Sequence, residues 1–306
     1  MARKRKGRDV HGILLLDKPT GISSNKALQR VKHLFQAKKA GHTGSLDNLA
    51  SGLLPICLGE ATKIAGFLLD ADKQYYTVLT LGVTTDTGDA EGNVITTQAT
   101  DNITQVQINN VLQQFMGEIE QVPPMYSALK YQGQALYKLA RQGKTVERKA
   151  RRITIFSIQQ ESFKDNHLAL TVHCSKGTYI RSLAEDIGNA LGCGAHVSVL
   201  RRLSVGQYRH MMDFETLETY AQQGVENLDE QLIPMEDALP HFPSVTLTES
   251  YAYYVRQGQA VQIAHAPTEG WVKLLVRQAD DAITFIGMGI ILEDGRVAPK
   301  RLLTNM

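Results

Sequence analysis

A single carboxylate, Asp47, lies in a segment that is rich in glycine. Gly41, Gly44 and Gly52 surround it, and Glu60 is its only acidic neighbour within 20 positions. Glycine permits backbone conformations and a close ligand approach that other residues prevent. A lone carboxylate on such a loop suits a nucleophile better than a metal cage, which needs several oxygen ligands. The alternative is a structural role, as a helix N-cap or in an Asx turn.

The elements around this segment can be predicted from hydrophobic periodicity. Residues 13–16 form an apolar run that is typical of a buried strand, and Ser23 or Ser24 can cap a following helix. That helix presents one apolar face, which comprises Leu28, Val31, Leu34 and Phe35. Asp47 therefore falls between an amphipathic helix and the apolar run 53–58.

Two further strands and a second helix are predicted downstream. Residues 75–80 are nearly all aromatic or β-branched, and residues 168–174 alternate between apolar and polar types, so both favour strands. Thr178 can cap a helix that ends at Gly192. The inward face of this helix comprises Ile180, Leu183, Ile187 and Leu191.

Length and composition describe an ordinary globular protein. The chain has 306 residues, 43% of them hydrophobic and 21% charged, with a net charge of +2. This length allows one large domain and a small one. Three scattered cysteines without C-x-x-C spacing argue against disulfides and structural zinc, and for a reducing compartment. No apolar run reaches membrane-spanning length, so we expect a cytoplasmic protein.

The residue pattern of the chain changes after Pro240 and Pro243. Short β-like runs follow, such as 272–276 and 284–286, separated by glycines. This pattern predicts a small all-β module of five or six strands. The module contains no candidate catalytic group, so its deletion is expected to raise KM more than it lowers the rate.

Cations are concentrated in two places. Residues 1–8 form a basic tail, either a solvated terminus or an arm that binds a polyanion. The segment 123–152 interleaves three tyrosines with eight cations and one acid, Glu147. Cations can bind phosphates and tyrosines can stack on unpaired bases, although a solvated basic face is the alternative. The cations are Lys130, Lys138, Arg141, Lys144, Arg148, Lys149, Arg151 and Arg152.

Several cofactor-dependent classes lack their signatures. Asp86-Thr87-Gly88 occurs once, whereas aspartic proteases need two carboxylates that share a proton. Acidic residues do not fall at EF-hand positions, and neither a Walker loop nor a complete G-x-G-x-x-G occurs. The zinc deaminase pattern is also missing from the sequence. We therefore expect neither a metal nor an organic cofactor.

Four motifs together resemble one family, the TruB-type tRNA pseudouridine synthases. In the family's order they are residues 12–19 (GILLLDKP), 41–47 (GHTGSLD), 85–89 (TDTGD) and 175–181 (SKGTYIR). The family usually has proline after the aspartate, where this chain has Asn48. Proline would restrict the preceding residue, so its absence is expected to loosen the loop around Asp47.

The resemblance implies a fold and a set of roles. The fold would be mixed α/β, with a mainly antiparallel sheet, flanking helices and a small C-terminal PUA-like β-barrel. The expected domains are a tail at 1–10, a catalytic domain at 11–243 with an RNA-binding insertion at about 123–152, and an RNA-binding domain at 246–306. Asp47 would be catalytic. The substrate-binding residues would be Lys18, His42, Tyr75, Tyr179, Arg181 and Leu200, and the RNA-binding residues Lys130, Arg141, Arg148, Lys149, Arg151 and Arg152.

Each of these roles has a simpler alternative. Arg181 would pair with Asp47, hold it ionised and lower its pKa, or it would form an exposed i,i+4 pair with Glu185. Tyr75, expected to stack on the extruded base, and Leu200, expected to contact the uracil, are also typical core residues. His42, expected beside the flipped nucleotide, could be a turn residue. Lys18 could support the loop or lie on the surface.

The sequence thus predicts conversion of uridine to pseudouridine in the T loop of tRNA, at position 55, by a monomer. A non-catalytic tRNA-binding or folding factor on the same scaffold is the main alternative. It would keep the basic segment but would not require Asp47 and Arg181 together. An RNA hydrolase is a third possibility, which would normally need a second acid or a metal.

Overall fold

The computed structural model describes residues 7–278 and 280–304, so Arg3, Lys4, Arg5 and Lys6 of the predicted tail lie outside it. The strands are β1 (Gly12–Lys18), β2 (Ala40–His42), β3 (Ser51–Leu58), β4 (Lys73–Leu81), β5 (Val83–Thr85), β6 (Val94–Thr97), β7 (Gly117–Gln121), β8 (Lys130–Tyr131), β9 (Gln134–Ala135), β10 (Arg151–Lys164), β11 (His167–Cys174), β12 (Ala195–Val205), β13 (Ser244–Leu247), β14 (Trp271–Arg277), β15 (Ile283–Ile291) and β16 (Val297–Leu302). The α-helices are α1 (Ser24–Leu34), α2 (Ala65–Leu69), α3 (Gln105–Gln114), α4 (Leu136–Ala140), α5 (Ile180–Ala190), α6 (Phe214–Gln223), α7 (Val225–Asp229) and α8 (Glu249–Arg256), and a 3-10 helix spans Gly59–Lys63.

An eight-stranded sheet forms the centre of the molecule. Its order is β1-β3-β12-β4-β11-β10-β7, with β2 paired to β3. All pairs are antiparallel except β12 with β3. The predicted strands at 13–16, 75–80 and 168–174 are confirmed as parts of β1, β4 and β11. The predicted mixed, mainly antiparallel α/β class is therefore confirmed.

The two predicted helices form, but only one has the predicted cap. Ser23 Oγ accepts a hydrogen bond from Lys26 N–H at 3.2 Å and caps α1. The prediction that Thr178 caps α5 is wrong, because its hydroxyl donates instead to Ser175 O at 3.0 Å. Tyr179 is the N-cap residue, and its N–H donates to Gln121 Oε1 at 2.8 Å. No helix in the described part of the chain is both long and apolar enough to span a membrane.

The C-terminal unit differs in detail from the predicted all-β module. It has four strands, in the order β13-β14-β15-β16, together with helix α8. The helix forms because Thr248 Oγ1 accepts from Tyr251 N–H, while Ala252 and Val255 bury one face. Among the described residues no pairing joins β13 to β16, so a sheet domain is present without closure into a barrel.

The C-terminal sheet shares a hydrophobic core with the central sheet. Phe67 of α2 makes edge contacts with Trp271 and Phe242, with ring centroids 5.1 and 4.9 Å apart. Lys63 Nζ also donates to Leu302 O at 2.8 Å. The same core contains buried side chains from both units: Ile13, Cys57, Ala61, Ile64, Leu68, Leu275, Phe285 and Met288.

This shared core changes the expectation for a C-terminal deletion. Removing residues from Thr246 onward would expose apolar side chains of β1 and β3, and exposed apolar area costs free energy of unfolding. We therefore expect the truncated protein to melt at a lower temperature and to lose rate as well as affinity. Differential scanning calorimetry of the two proteins measures the change. An unchanged melting temperature, with only KM raised, would show that the sheets are energetically independent.

Candidate active site

Asp47 lies on the loop between β2 and β3, whose shape depends on glycine. Gly44 and Gly52 have φ values of +72° and +99°, a region that favours glycine. A Cβ atom on Gly52 would lie 2.2 Å from Arg202 O, so no side chain fits there. Ala50 N–H donates to Asp47 O at 3.2 Å and closes a turn. At Gly52, the start of β3 therefore passes so close to β12 that only glycine is tolerated.

The carboxylate of Asp47 contacts the guanidinium of Arg181. Arg181 Nε lies 3.0 Å from Asp47 Oδ2; the arginine side chain is 6% exposed and the aspartate side chain 44% exposed. The remaining arginine nitrogens donate to Thr87 O at 2.9 Å and Tyr126 O at 2.7 Å. Arg181 is therefore held by protein on three sides and presents a fixed donor to an accessible carboxylate. The alternative partner, Glu185, makes no ion pair with Arg181 in the described part of the chain.

A second carboxylate, Asp89, lies on the other side of Arg181. Its Oδ2 is 3.8 Å from the arginine Nη1. Thr87 Oγ1 and Glu91 N–H donate to Asp89 Oδ1 at 2.6 and 3.1 Å and fix its orientation. Asp89 is not among the site residues predicted from the sequence, although it is the last residue of the motif 85–89.

The pKa of Asp47 is raised from its ordinary value. Desolvation by the surrounding protein is the main cause, although 44% of the side chain stays exposed. Arg181 opposes this shift first, the like charge of Asp89 adds to it, and Lys18 opposes it again. The predicted contribution of Arg181 is confirmed, since the guanidinium lowers this pKa. The net shift is nevertheless upward, because desolvation of the carboxylate outweighs the attraction of the guanidinium.

Lys18 is fully buried beneath this loop. Its Nζ donates to Pro19 O at 2.8 Å and to Ile22 O at 2.7 Å. Burial lowers the pKa of Lys18 to about 8, although the Asp47 charge opposes the shift. The surface alternative is therefore wrong. The lysine holds the β1–α1 connection, which lies against the Asp47 loop.

Tyr75 and Leu200 lie on one face of the central sheet. In the pairing of β4 with β12, Tyr75 lies opposite Arg202 and Thr77 lies opposite Leu200. Residues opposite one another in antiparallel strands point to the same face. Both side chains are buried, and burial raises the pKa of the Tyr75 hydroxyl. Tyr75 and Leu200 are therefore buried as core residues are, on the sheet face that also carries Arg202.

His42 and Tyr179 are both half-buried. His42 ends β2, and burial, with Arg202 as the second cause, lowers its pKa. Its Nδ1 is buried and has no partner among the described residues. Tyr179 precedes α5, and its backbone makes two hydrogen bonds to the Gln121 amide, at 2.8 and 3.1 Å. Its hydroxyl has a raised pKa, mainly because of burial.

Arg202 is a further residue that sequence reasoning did not identify. Its side chain is 1% exposed. Its Nε donates to Leu53 O at 2.6 Å and its Nη2 to Gly44 O at 2.9 Å. Gly44 precedes Asp47 and Leu53 follows it, so Arg202 donates hydrogen bonds to the backbone on both sides of Asp47. Two consecutive arginines in a largely apolar strand gave no local signal of this contact.

The basic segment does not present its cations on a single surface. Arg151 and Arg152 are successive residues of β10, so their side chains leave opposite faces of the sheet. Arg152 lies opposite Glu120 of β7. The Arg141 guanidinium lies 5.5 Å from the Tyr137 ring centroid. The exposed cations are Lys130, Lys138, Arg141, Lys144, Lys149, Arg151 and Arg152, whereas Arg148 is half-buried.

The predicted basic tail is described only in part. Arg8 donates from Nη1 to Asp229 Oδ1 at 3.3 Å, at the end of α7. Arg8 therefore forms an ion pair within the protein.

Three family models match consecutive parts of the chain. Residues 32–180 match the N-terminal domain of TruB family pseudouridylate synthases. Residues 181–240 match the C-terminal domain of tRNA pseudouridylate synthase B, and residues 243–303 match a pseudouridine synthase II TruB C-terminal model.

Relatives of similar length are close in sequence. A tRNA pseudouridine synthase B of Nitrosococcus oceani is 56% identical over 303 residues, covering 98% of this chain and 97% of the relative. Proteins of the same name from Coxiella burnetii and Yersinia pestis are 53% and 52% identical. The Coxiella alignment covers 97% of this chain and 96% of the relative, and the Yersinia alignment covers 99% and 95%.

Solved structures share the fold at lower identity. A chain from an H/ACA ribonucleoprotein bound to a substrate RNA containing 2'-deoxyuridine has a TM-score of 0.71 and 23% identity, covering 100% of this chain and 92% of that chain. A chain from a Cbf5-Nop10-Gar1 complex has a TM-score of 0.69 and 25% identity, covering 96% and 84%. With the family models and full-length relatives in agreement, the chain belongs to the TruB family of pseudouridylate synthases.

Proposed function

We propose that this protein converts uridine to pseudouridine in the T loop of tRNA, at position 55, with Asp47 as the nucleophile or base. The observation that supports this most directly is the pair formed by a buried Arg181 and an accessible Asp47, 3.0 Å apart. A binding or folding factor would have no need of such a pair. The names of the full-length relatives support tRNA as the substrate.

The proposed reaction rearranges bonds within one nucleotide. The N1–C1′ glycosidic bond breaks, the uracil turns in place, and a C5–C1′ bond forms. The C5 proton is lost to solvent and N1 takes up a proton, so that the product is an isomer of the substrate. The base and sugar supply every atom, so the reaction itself consumes no co-substrate. A stacked uridine is out of reach, and flipping it out costs a few kcal/mol. Stacking on Tyr75 would return about 1–3 kcal/mol of that cost.

The other residues have roles that follow from their positions. We assign Leu200 and Tyr75 to the walls around the uracil, because they share the sheet face of Arg202. His42 and Tyr179 are assigned to the nucleotides beside the target. Arg181 orients Asp47, and Lys18 supports the connection beneath the loop. These assignments rest on the motif resemblance together with the observed placement.

The exposed cations of the basic segment are assigned to the T stem-loop phosphates. Replacing Lys149 and Arg151 with glutamine should weaken tRNA binding and flatten its salt dependence. Each lost phosphate contact removes roughly 0.9 from the slope of the log binding constant against the log salt concentration on duplex-like substrates, and less on single strands. Titrations at two salt concentrations measure this slope. The matched control replaces Lys164, an exposed lysine at the other end of β10, and an identical slope in all variants would mean that the basic segment is a solvated surface.

Asn48 is the position where the chain departs from the family pattern. Its N–H has no hydrogen-bond partner in residues 7–278 and 280–304, while its carbonyl accepts from Gly21 N–H at 2.8 Å. Asn48→Pro would therefore remove no observed bond. We expect a gain of about 0.4–1 kcal/mol in the free energy of unfolding, with equal or higher activity. Denaturant titration and initial rates measure both, and a tenfold loss of rate in a folded variant would contradict the expectation.

The domain division, oligomeric state and compartment are also proposals. A catalytic unit at 11–243 and an RNA-binding unit at 246–306 are supported by their separate sheets. The monomeric state is proposed from the resemblance to the family alone. A cytoplasmic location is supported by the substrate and by three buried cysteines that are unpaired in the described structure.

Tritium release tests the proposal directly. The substrate is tRNA carrying 5-tritiated uridine, incubated with the protein and no added metal. Isomerisation frees the C5 tritium into water, whereas binding, folding or strand cleavage does not. Release of one equivalent of tritium per tRNA, from the uridine at position 55, is expected. Tight tRNA binding without any release would favour the non-catalytic alternative, and cleaved RNA would indicate a hydrolase.

A further inference from the structure

The hydroxyl of Ser24 is bound to the residue that precedes Asp47. Ser24 Oγ accepts from Leu46 N–H at 2.7 Å and donates to Leu46 O at 2.9 Å. A serine hydroxyl has one donor and two acceptor sites, so it can make both bonds at once. Ser24 is 4% exposed and Leu46 is 6% exposed. Both backbone polar groups of Leu46 are thus satisfied by one buried side chain.

The backbone on the other side of Asp47 is bound by the same part of the chain. Gly21 N–H donates to Asn48 O at 2.8 Å. Gly21 and Ser24 belong to the β1–α1 connection and the start of α1, and Lys18 Nζ binds two carbonyls of this connection. Asp47 therefore lies between two residues whose backbones are each hydrogen-bonded to one short segment.

Helix α1 itself does not use the Ser24 hydroxyl. Its N-terminus is capped by the neighbouring Ser23, which accepts from Lys26 N–H. Ser24 is the first residue of the helix, where a hydroxyl is not required. The bonds to Leu46 are therefore what the Ser24 hydroxyl contributes, and they act on the loop rather than on the helix.

We propose that Ser24 is a positioning residue, which fixes the backbone at Leu46 and thereby the direction in which Asp47 presents its carboxylate. This inference rests on the proposed role of Asp47. Reacting groups lose rate steeply when displaced, by about 100-fold for roughly 1 Å. Arg181 fixes the carboxylate end of Asp47, whereas Ser24 fixes the backbone end.

The test compares Ser24→Ala with Ser23→Ala under single-turnover conditions with saturating enzyme. Ser24→Ala should lower the rate of tritium release about 30-fold or more and leave the Kd for tRNA within about threefold. Ser23→Ala, which removes a cap from the same helix, should lower the melting temperature but leave the single-turnover rate within about twofold. Ser24→Thr, which keeps the hydroxyl, should regain most of the rate.

A second readout reports on the loop without requiring catalysis. Hydrogen exchange of a peptide spanning residues 43–50 should speed up in Ser24→Ala and remain unchanged in Ser23→Ala. Equal loss of rate in the two alanine variants would overturn the inference, because it would place the effect in the helix. A full rate in Ser24→Ala, with an active wild type, would overturn this inference alone. A wild type without tritium release would overturn the proposed function and the role of Ser24 with it.

Discussion

Asp47→Asn is expected to abolish pseudouridine formation while leaving tRNA binding within about tenfold, or about 1.4 kcal/mol. The amide is nearly the same size as the carboxylate but is neither a nucleophile nor a base. Arg181 would keep its bonds to Thr87 O and Tyr126 O, so the site should keep its shape. Tritium release measures the activity, and filter binding measures the affinity.

The stability of this variant gives an independent check on the state of Asp47. Burial raises the pKa of its carboxyl in the folded protein. The folded state then holds the proton more tightly than the unfolded state, whose aspartate pKa is about 3.9. Stability is therefore lost as pH rises from that value through the higher folded pKa. At neutral pH, Asp47→Asn removes this cost and should melt at the same temperature or higher.

Two results would contradict this account. Residual turnover above about 1% of wild type, a loss of only about 2.7 kcal/mol of transition-state stabilisation, would end the assignment of Asp47 as nucleophile. A strongly lowered melting temperature would mean that the ionised carboxylate is needed for folding. Asp86→Asn is a suitable control, because that carboxylate binds Asn93 in the β5–β6 turn.

Arg181→Lys is expected to lower kcat about 100-fold, the cost of misplacing a reacting group by about 1 Å. Lysine keeps the charge but loses the planar fork, so a single nitrogen cannot replace donors aimed at Asp47, Thr87 and Tyr126. The partly buried carbonyls of Thr87 and Tyr126 also lose their donors. The melting temperature should therefore fall, while steady-state kinetics report the loss of rate.

The pH profile separates a catalytic effect of Arg181 from a structural one. Because Arg181 opposes the raised pKa of Asp47, removing its charge should raise that pKa further. The acidic limb of kcat should therefore move to higher pH in Arg181→Met and less in Arg181→Lys. Glu185→Gln, at the partner expected in the alternative, should keep kcat within about threefold. An acidic limb that is the same in all variants would mean that Arg181 acts only on folding.

The basic segment illustrates how far composition can be interpreted. Its eight cations correctly marked a charged region, since charge density is visible in any linear sequence. Their distribution over two faces was not visible, because it depends on where β10 begins. That strand pairs with β7 through Arg151 and Arg152, and alternation then separates the two side chains. The predicted C-terminal module shows the same limit, since a capped helix replaced some of the expected strands.

The sequence by itself determined the main elements and predicted the candidate reactive group. Period-two and helical patterns located β1, β4, β11 and α1, because such patterns reflect which face is buried, and glycines around Asp47 marked its loop.

Only the tertiary structure decided what surrounds that group. Arg202 binds Gly44 across 158 positions, and Asp89 and Ser24 reach the same site from other elements. Long-range contacts of this kind depend on how sheets and helices pack. The net pKa of Asp47 depends on them too, because desolvation is a property of the assembled site.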